Sequence, residues 1–505
     1  MASEAGDRRM KVKKSSNLLG GVLLFVVALL GGGVFLLLRL FEWGQPTIRL
    51  ESDVALLGQK TKVLAVINDD KSGIKEVRAI IRQGKKEAVV VERKLGRSNL
   101  LSQGIPTLKE ALEIDAQALG LNDGDAELVI MASDFSWWNW LRGNQALGLY
   151  PVAFDTKPPK LRMLDSPEKI KPGGSGMVVY GANEEILKGG VTIDGIFHPG
   201  YPIPTRKDGA YGALIALPYD MEAIKSATIT AQDRAGNQTS LPVSLNFRSV
   251  PKKSDTINLS DNFLNTKIPE FAQYYPDMKG SQVEQFLYVN NEVRKQNAER
   301  IKEICGKTDP ERLWQGHFIR MDRSSPMAGF AQYRTYFYQG KGIDNQVHLG
   351  VDLASLERAE VKVANNGKVV FADYLGIYGN MVMVDHGQGL FSLYSHLSEI
   401  NTRVGETVKS GDLLGRTGTT GMAGGDHLHF AMLVNGIFVT PVEWWDEHWI
   451  KDNILLFMQE GKPEPKPEAK TDTEADTKPV AKAETRQEAK PKAKPKAKPS
   501  AKPAR

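Results

Sequence analysis

Five side chains near the C-terminal end have types and spacings that could do chemistry together. They are His348 and Asp352 in VHLGVDLAS, His396 in LYSHLS, and His427 and His429 in DHLHFAML. Imidazole nitrogens and carboxylate oxygens are zinc donors. Catalytic zinc sites hold them tetrahedrally at roughly 2.0–2.2 Å, commonly with three protein ligands and one position open for water. His348, Asp352 and one histidine of the HLH pair meet that count. His396 and the other HLH histidine are left to orient or deprotonate a water and to stabilise an oxyanion. The set implies a metallohydrolase. No HExxH occurs in the chain, which excludes the helix-borne zinc protease site.

The elements that position these residues read as strands. Val347, Leu349, Val351 and Leu353 alternate with His348, Gly350 and Asp352, a period of two. One strand through 347–353 would point His348 and Asp352 to the same face, with Gly350 leaving space for an ion beside the backbone. Leu428, Phe430, Met432 and Val434 alternate with His427, His429 and Ala431, so the two histidines share the face opposite the apolar set. Two such strands side by side would aim four polar side chains at one point.

HLGVD, then YSHL, then HLHF, in that order, resembles the LytM or lysostaphin-type peptidases, peptidase family M23. The resemblance covers about residues 315–446, including VDHGQGLFSLYSHL and VGETVKSGDLLGRTGTTG. It implies an all-β catalytic domain, with His348, Asp352 and His429 as ligands of Zn2+ and His396 and His427 as catalytic histidines. It also implies peptide cross-links or bridges of bacterial peptidoglycan as substrate. Two positions depart from the family pattern. Ala431 stands where a glutamate often follows HLHF, and the usual F-G-x-R stretch appears as Phe330-Ala331-Gln332-Tyr333-Arg334. Neither is a ligand position, so the departures bear on the substrate groove. Singly, each motif is weak, because a lone histidine on a strand is usually structural; their joint order carries the reading. His198, His317, His386 and His448 lack such company and read as structural. The alternative is a non-catalytic LytM-like scaffold that binds wall peptide or activates another hydrolase.

The N-terminus suggests the compartment. Residues 17–38 are uncharged and apolar. A helix of about 22 residues spans roughly 33 Å, enough for a bilayer core. Arg8, Arg9, Lys11, Lys13 and Lys14 precede the run, and only Arg39 follows it before Glu42. That bias predicts a single-pass inner-membrane protein, N-terminus in the cytoplasm and catalytic domain periplasmic. No A-x-A-like site follows Leu40, which favours an uncleaved anchor over a signal peptide. One cysteine, Cys305, rules out an intrachain disulfide and reads as a buried small side chain. The net charge of +5 is misleading, since 461–505 alone holds 13 Lys or Arg against 7 Asp or Glu. The body is near neutral, so no nucleic-acid partner is expected.

The fold class is mainly β. We divide the chain into a basic N-terminus (1–16), a transmembrane anchor (17–39), β-sandwiches at 45–156 and 157–249, a helical connector (251–314), the peptidase domain (315–450) and a disordered Lys/Pro/Ala tail (460–505). The sandwiches rest on short alternating strands such as 62–67, 86–91 and 227–231, with turn signals between them. A weak internal repeat pairs Ala132-Ser133-Asp134…Gly143-Asn144 with Ala231-Gln232-Asp233…Gly236-Asn237, the second resembling the last hairpin of bacterial immunoglobulin-like domains. The β domains would dock envelope protein partners. Within 135–141, three tryptophans could meet a membrane interface or sugar rings; packing on the neighbouring domain is the plainer expectation. In the connector, Ser281 and Glu284 have capping-box spacing. Just upstream of the zinc residues, this segment could gate the cleft. Residues 404–415 read as a hairpin. The tail has too little apolar mass to fold.

Overall fold

A computed structural model describes residues 16–99 and 102–459. The basic N-terminus and the Lys/Pro/Ala tail lie outside the described residues. Ser16–Leu40 is one α-helix, and its Gly20–Leu38 stretch, with a mean hydropathy of 2.7, is long and apolar enough to cross a membrane.

After the helix come two layers of strands. Thr47–Leu50, Lys60–Asn68 and Thr107–Asp115 form a three-stranded sheet. Leu56–Leu57, Gln145–Phe154, Gly124–Asp134, Ile74–Gln83 and Lys86–Lys94 form a five-stranded one. Alternation decides which side chains face in. Val63, Ala65 and Ile67 point inward from one sheet and meet Ile81, Leu128 and Ile130 of the other in a single apolar core.

The next seven strands, from Leu161–Asp165 to Gln238–Pro242, run as one hydrogen-bonded path. The path changes layer within Ile196–Pro202. Residues 196–199 of that strand pair with Lys188–Ile193, and residues 200–202 pair with Tyr211–Ala216. Ser175–Ala182 and Tyr211–Ala216 are buried almost throughout, because both of their faces are covered. Val178, Tyr180 and Ile215 enter the core of this β region, whereas Met177, Val179, Leu214 and Ala216 enter the core of the C-terminal region.

The internal repeat marks equivalent corners. The Asp134 carboxylate accepts from Asn144 N (2.7 Å) and Nδ2 (2.8 Å), and the Asp233 carboxylate accepts from Asn237 N (2.9 Å) and Nδ2 (2.9 Å). Gly143 and Gly236 precede each asparagine with φ of +87° and +90°, where a Cβ would be strained. Each asparagine then donates to the segment entering its own β region, Asn144 to Glu42 O and Asn237 to Asp155 O.

The connector is not wholly helical. Lys253–Leu259 is a strand lying parallel to Gln332–Tyr338. Ile257 and Leu259 alternate inward, a period of two visible in KSDTINL. Helix Asp261–Ala272 follows, then helical segments over 282–305 with a π-turn at Val289–Val293. Ser281 and Glu284 form the expected capping box.

The eight-stranded sheet of the C-terminal region runs Ser325–Ala328, Val351–Ala354, Leu428–Val434, Leu390–Leu397, Asn380–Asp385, Gly367–Tyr374 and Thr407–Val408, with Ile437–Val439 paired beside Leu428–Val434. Residues 404–415 do not form a hairpin. Thr407–Val408 pairs with Gly367–Tyr374, while Leu413–Arg416 pairs with Glu360–Lys362 and Glu399–Ile400 in a separate small sheet. The two halves answer to different apolar neighbours, which short glycine-punctuated runs do not reveal.

One core joins this sheet to the preceding β region. Trp314, Phe318 and Trp444 are fully buried in it, and Trp444 Nε1 donates to Ser175 Oγ at 3.1 Å. Trp444→Ala is expected to cost about 3–5 kcal/mol. Hydrogen exchange should show Ser175–Ala182 and Asn380–Asp385 losing protection together. Loss confined to one of these strands would mean that the cores are separable.

Candidate metal centre

His348 and Asp352 lie on two strands, not one. His348 ends Lys341–His348, which pairs with Gln332–Tyr338, and Asp352 lies in Val351–Ala354 of the eight-stranded sheet. The chain changes sheet at Leu349-Gly350. The alternation of residue types runs across the break and so reads as one run, although burial does not follow it: Val351 and Leu353 are buried, whereas Val347 and Leu349 are half-buried and His348 is buried.

Gly350 has a different role from the one expected. A Cβ there would stand 2.5 Å from His429 Cε1 and Nε2 and 2.8 Å from Phe430 O. The space is occupied by the His429 ring. His429 is paired in register with Asp352 on one side and Ser395 on the other. Its strand, Leu428–Val434, is buried along its whole length. Leu428, Phe430, Met432 and Val434 enter the main core, and Ala431 and Leu433 pack with Ile301 and Cys305 of the connector helix. The face that carries His429 is therefore apolar further along. Cys305 is buried as expected, and burial pushes its thiol up to about 12.

All five predicted residues meet. His348 Nε2 lies 2.9 Å from Asp352 Oδ1 and 2.9 Å from His429 Nδ1, and His429 Nδ1 lies 3.0 Å from Asp352 Oδ1. Four-coordinate zinc with donors at roughly 2.0–2.1 Å would set neighbouring donors about 3.3 Å apart. The triangle fits such an ion with shifts of a few tenths of an ångström, and its two-nitrogen, one-oxygen donor set suits zinc. His427 Nε2 stands 3.6 Å from Asp352 Oδ1, and the His396 and His427 rings face each other with centroids 4.9 Å apart.

Backbone carbonyls select the tautomers. His348 Nδ1 sits 2.9 Å from Gly329 O, His396 Nδ1 2.9 Å from Thr420 O, and His427 Nδ1 2.8 Å from Gly425 O. A carbonyl only accepts, so each Nδ1 carries the proton and each Nε2 lone pair is turned toward the site. His396 holds a φ of +63°, a left-handed backbone uncommon for a side-chain-bearing residue and frequent at functional sites.

The electrostatics follow from burial and proximity. Burial pushes the Asp352 carboxyl up, but the imidazoles of His348, His427 and His429 outweigh it and hold the group well below the usual carboxylate range. Burial lowers His429 to about 4. Burial, followed by repulsion from His427 and His429, lowers His396 well below the ordinary imidazole value. Burial also opposes charge on His427, yet Asp352 and Gly425 raise it.

Arg334, named in the sequence only as part of a departure from the family pattern, reaches the site. Its Nη2 donates to Asp352 Oδ2 at 3.3 Å. The sequence signal was present, since this is the arginine of the altered F-G-x-R stretch. A cleft of about 900 Å³ opens over the site, with Phe263, Lys267, Arg294 and Lys295 of the connector on one wall and Arg334 and Tyr378 near the histidines. The other histidines lie apart. His386 is buried between Asn366 O and Ser392 Oγ, His198 is buried against Asn435, and His317 and His448 are exposed.

Comparison with known proteins gives a consistent picture for this region. The family model of peptidase family M23 matches residues 346–441. The DD-carboxypeptidase/endopeptidase Mpg of Neisseria meningitidis serogroup B is 37% identical over 97 residues, which is 19% of this chain and 22% of that protein. Lysostaphin of Staphylococcus staphylolyticus is 37% identical over 98 residues, 19% of this chain and 20% of its own length. The murein hydrolase activator EnvC of Escherichia coli strain K12 is 35% identical over 95 residues, 19% of this chain and 23% of its own. The chain thus spans about a fifth of the length of these relatives.

Gly350→Ala tests the positioning of His429. Displacing the ring is expected to weaken zinc binding by about 10–100-fold, the size seen when ligand-orienting groups are lost. Competition with a chromophoric chelator measures this, and unchanged affinity would show that Gly350 does not set the ring.

Proposed function

We propose that this chain, which carries a peptidase family M23 domain at 346–441, is a zinc-dependent endopeptidase. Its substrates are the peptide cross-links or bridges of bacterial peptidoglycan. It acts on the outer face of the cytoplasmic membrane, in the periplasm, where Ser16–Leu40 anchors it with its N-terminus inside. The two β regions and the connector stand between anchor and peptidase, and the β regions offer surfaces to envelope partners. The observation that carries the reading is the convergence of His348 Nε2, Asp352 Oδ1 and His429 Nδ1 to mutual distances of 2.9–3.0 Å, beside the His396 and His427 imidazoles, whose Nδ1 atoms are held by Thr420 O and Gly425 O.

His348, Asp352 and His429 would hold the zinc. Zinc bound there would supply Lewis-acid polarisation of a scissile amide and would lower the pKa of water. The remaining work belongs to the protein. His396 and His427 present Nε2 atoms to the cleft, where one takes the proton of an attacking water and the other hydrogen-bonds the developing oxyanion. Thr420 O and Gly425 O keep both rings in the tautomer and orientation that this requires. Arg334 fixes the second oxygen of Asp352, so that Oδ1 stays directed at the two ligand imidazoles. The connector wall and Tyr378 confine the peptide over the site.

The test is incubation of the full-length protein in detergent with purified peptidoglycan, followed by mass spectrometry of the released fragments. Wild type should create new peptide ends, and chelator-treated protein and His429→Ala should not. His396→Ala should retain zinc and lose about 10²–10⁴-fold in rate, the usual contribution of a positioned acid or base. Intact wall in every sample with zinc bound would sink the enzyme reading and leave the scaffold that the EnvC relative exemplifies.

A further inference from the structure

The tryptophan-rich insertion at 135–141 does not pack on the neighbouring β region. Asp123, beside the start of strand Gly124–Asp134, lies at the end that meets the next β region: its Oδ1 accepts from Thr156 N and Oγ1, and the adjoining Asp155 O accepts from Asn237 Nδ2 of that region. The insertion leaves the other end, after Asp134. Eleven strand residues at about 3.3 Å each put roughly 35 Å between the two.

At that far end the loop closes on the exit of the apolar helix. Trp137 N donates to Leu40 O at 2.7 Å. The Phe41 ring meets Trp137 and Trp138 edge-on, with centroids 6.0 and 5.8 Å apart, and Trp43 meets Trp138 at 4.8 Å. Ser72 Oγ donates to the Glu42 carboxylate at 2.7 Å, and Asn144 Nδ2 donates to Glu42 O at 3.1 Å. The loop is therefore fixed within about one turn of where the helix ends.

Its tip faces outward. Trp140 is 98% exposed, Trp43 83% and Leu141 59%. Asn139, Trp140 and Leu141 hold φ of +50°, +59° and +67°, three successive non-glycine residues in left-handed backbone. Left-handed backbone is strained for Trp140 and Leu141, which gain little burial in return. Cations border the tip. Lys75 Nζ donates to Leu141 O, Arg142 is exposed, and Arg97 lies over the Phe135 ring. Tryptophan seats its ring at headgroup depth, where one part is apolar and another wet, and basic side chains favour anionic headgroups.

We infer that the 136–142 loop and Trp43 lie in the headgroup layer of the membrane that the helix enters, and hold the first β region against the bilayer. The partner is a lipid surface bearing anionic headgroups. The inference rests on reading Ser16–Leu40 as a membrane anchor.

The test places a depth-sensitive fluorophore on single cysteines in the full-length chain, with Cys305 replaced by alanine. The protein is reconstituted in vesicles of phosphatidylethanolamine and phosphatidylglycerol. Leu141→Cys and Trp43→Cys report the loop, Leu24→Cys reports the anchor, and Leu187→Cys reports an exposed site in the second β region. Nitroxide lipid labelled at headgroup depth should quench the two loop probes several-fold more than the Leu187 probe. Aqueous iodide should do the reverse, and acyl-depth nitroxide should quench the Leu24 probe. If the Leu24 probe is in lipid but both loop probes behave like the Leu187 probe, the inference fails and the anchor stands. If the Leu24 probe is itself in water, the anchor reading fails and takes the inference with it. Loop probes shielded from iodide only on addition of glycan strands would assign the surface to sugar and overturn the lipid reading.

Discussion

The C-terminal region is organised around one buried carboxylate. Asp352 is largely buried, and a carboxylate buried without compensation of its charge would be prohibitively costly.

 Its side chain is 13% exposed, and the compensation is local: two imidazole nitrogens at 2.9 and 3.0 Å and the Arg334 guanidinium at 3.3 Å. These partners come from three strands, Lys341–His348, Leu428–Val434 and Gln332–Tyr338, which belong to two sheets. Holding them on one carboxylate fixes how those sheets meet. The register of Asp352 opposite His429, the break at Leu349-Gly350 and the absence of a Cβ at Gly350 all serve that meeting.

That these five side chains come together was legible because the chemistry of a metal site restricts residue types more tightly than it restricts backbone. His348, Asp352, His396, His427 and His429 could be chosen from side-chain chemistry and order alone. The path of the chain between them could not. A period of two in residue type reads the same whether one strand continues or two strands in different sheets succeed each other. Residues 347–353 are the case in point. The same ambiguity hid the fate of 404–415, where each short apolar pair is buried by a different neighbour. Lys253–Leu259 was passed over because the helical stripe that follows it is stronger. Arg334 was seen but undervalued, since an arginine that orients a ligand leaves no spacing rule of its own.

The repeat was legible for a different reason. Asp followed by Gly-Asn needs a left-handed glycine and an asparagine whose amide can bridge, so the requirement is written in three residue types. At both corners the asparagine reaches the strand-entering segment, which ties the first β region to the end of the apolar helix and the second to the end of the first. Successive elements are thereby joined by side-chain hydrogen bonds across their junctions, and not by chain connectivity alone.

The core shared by the second β region and the eight-stranded sheet bears on how such a chain can be rearranged. The stretch that matches peptidase family M23, 346–441, is smaller than the apolar core that contains it. Met177, Val179 and Leu214 on one side and Trp314, Phe318 and Trp444 on the other fill one another's space. A fusion point placed between them would uncover an apolar surface on each fragment, so this region could be cut free of the preceding β region only if those residues were replaced as well. A change of volume on one side would therefore have to be matched by a change on the other to keep the core filled.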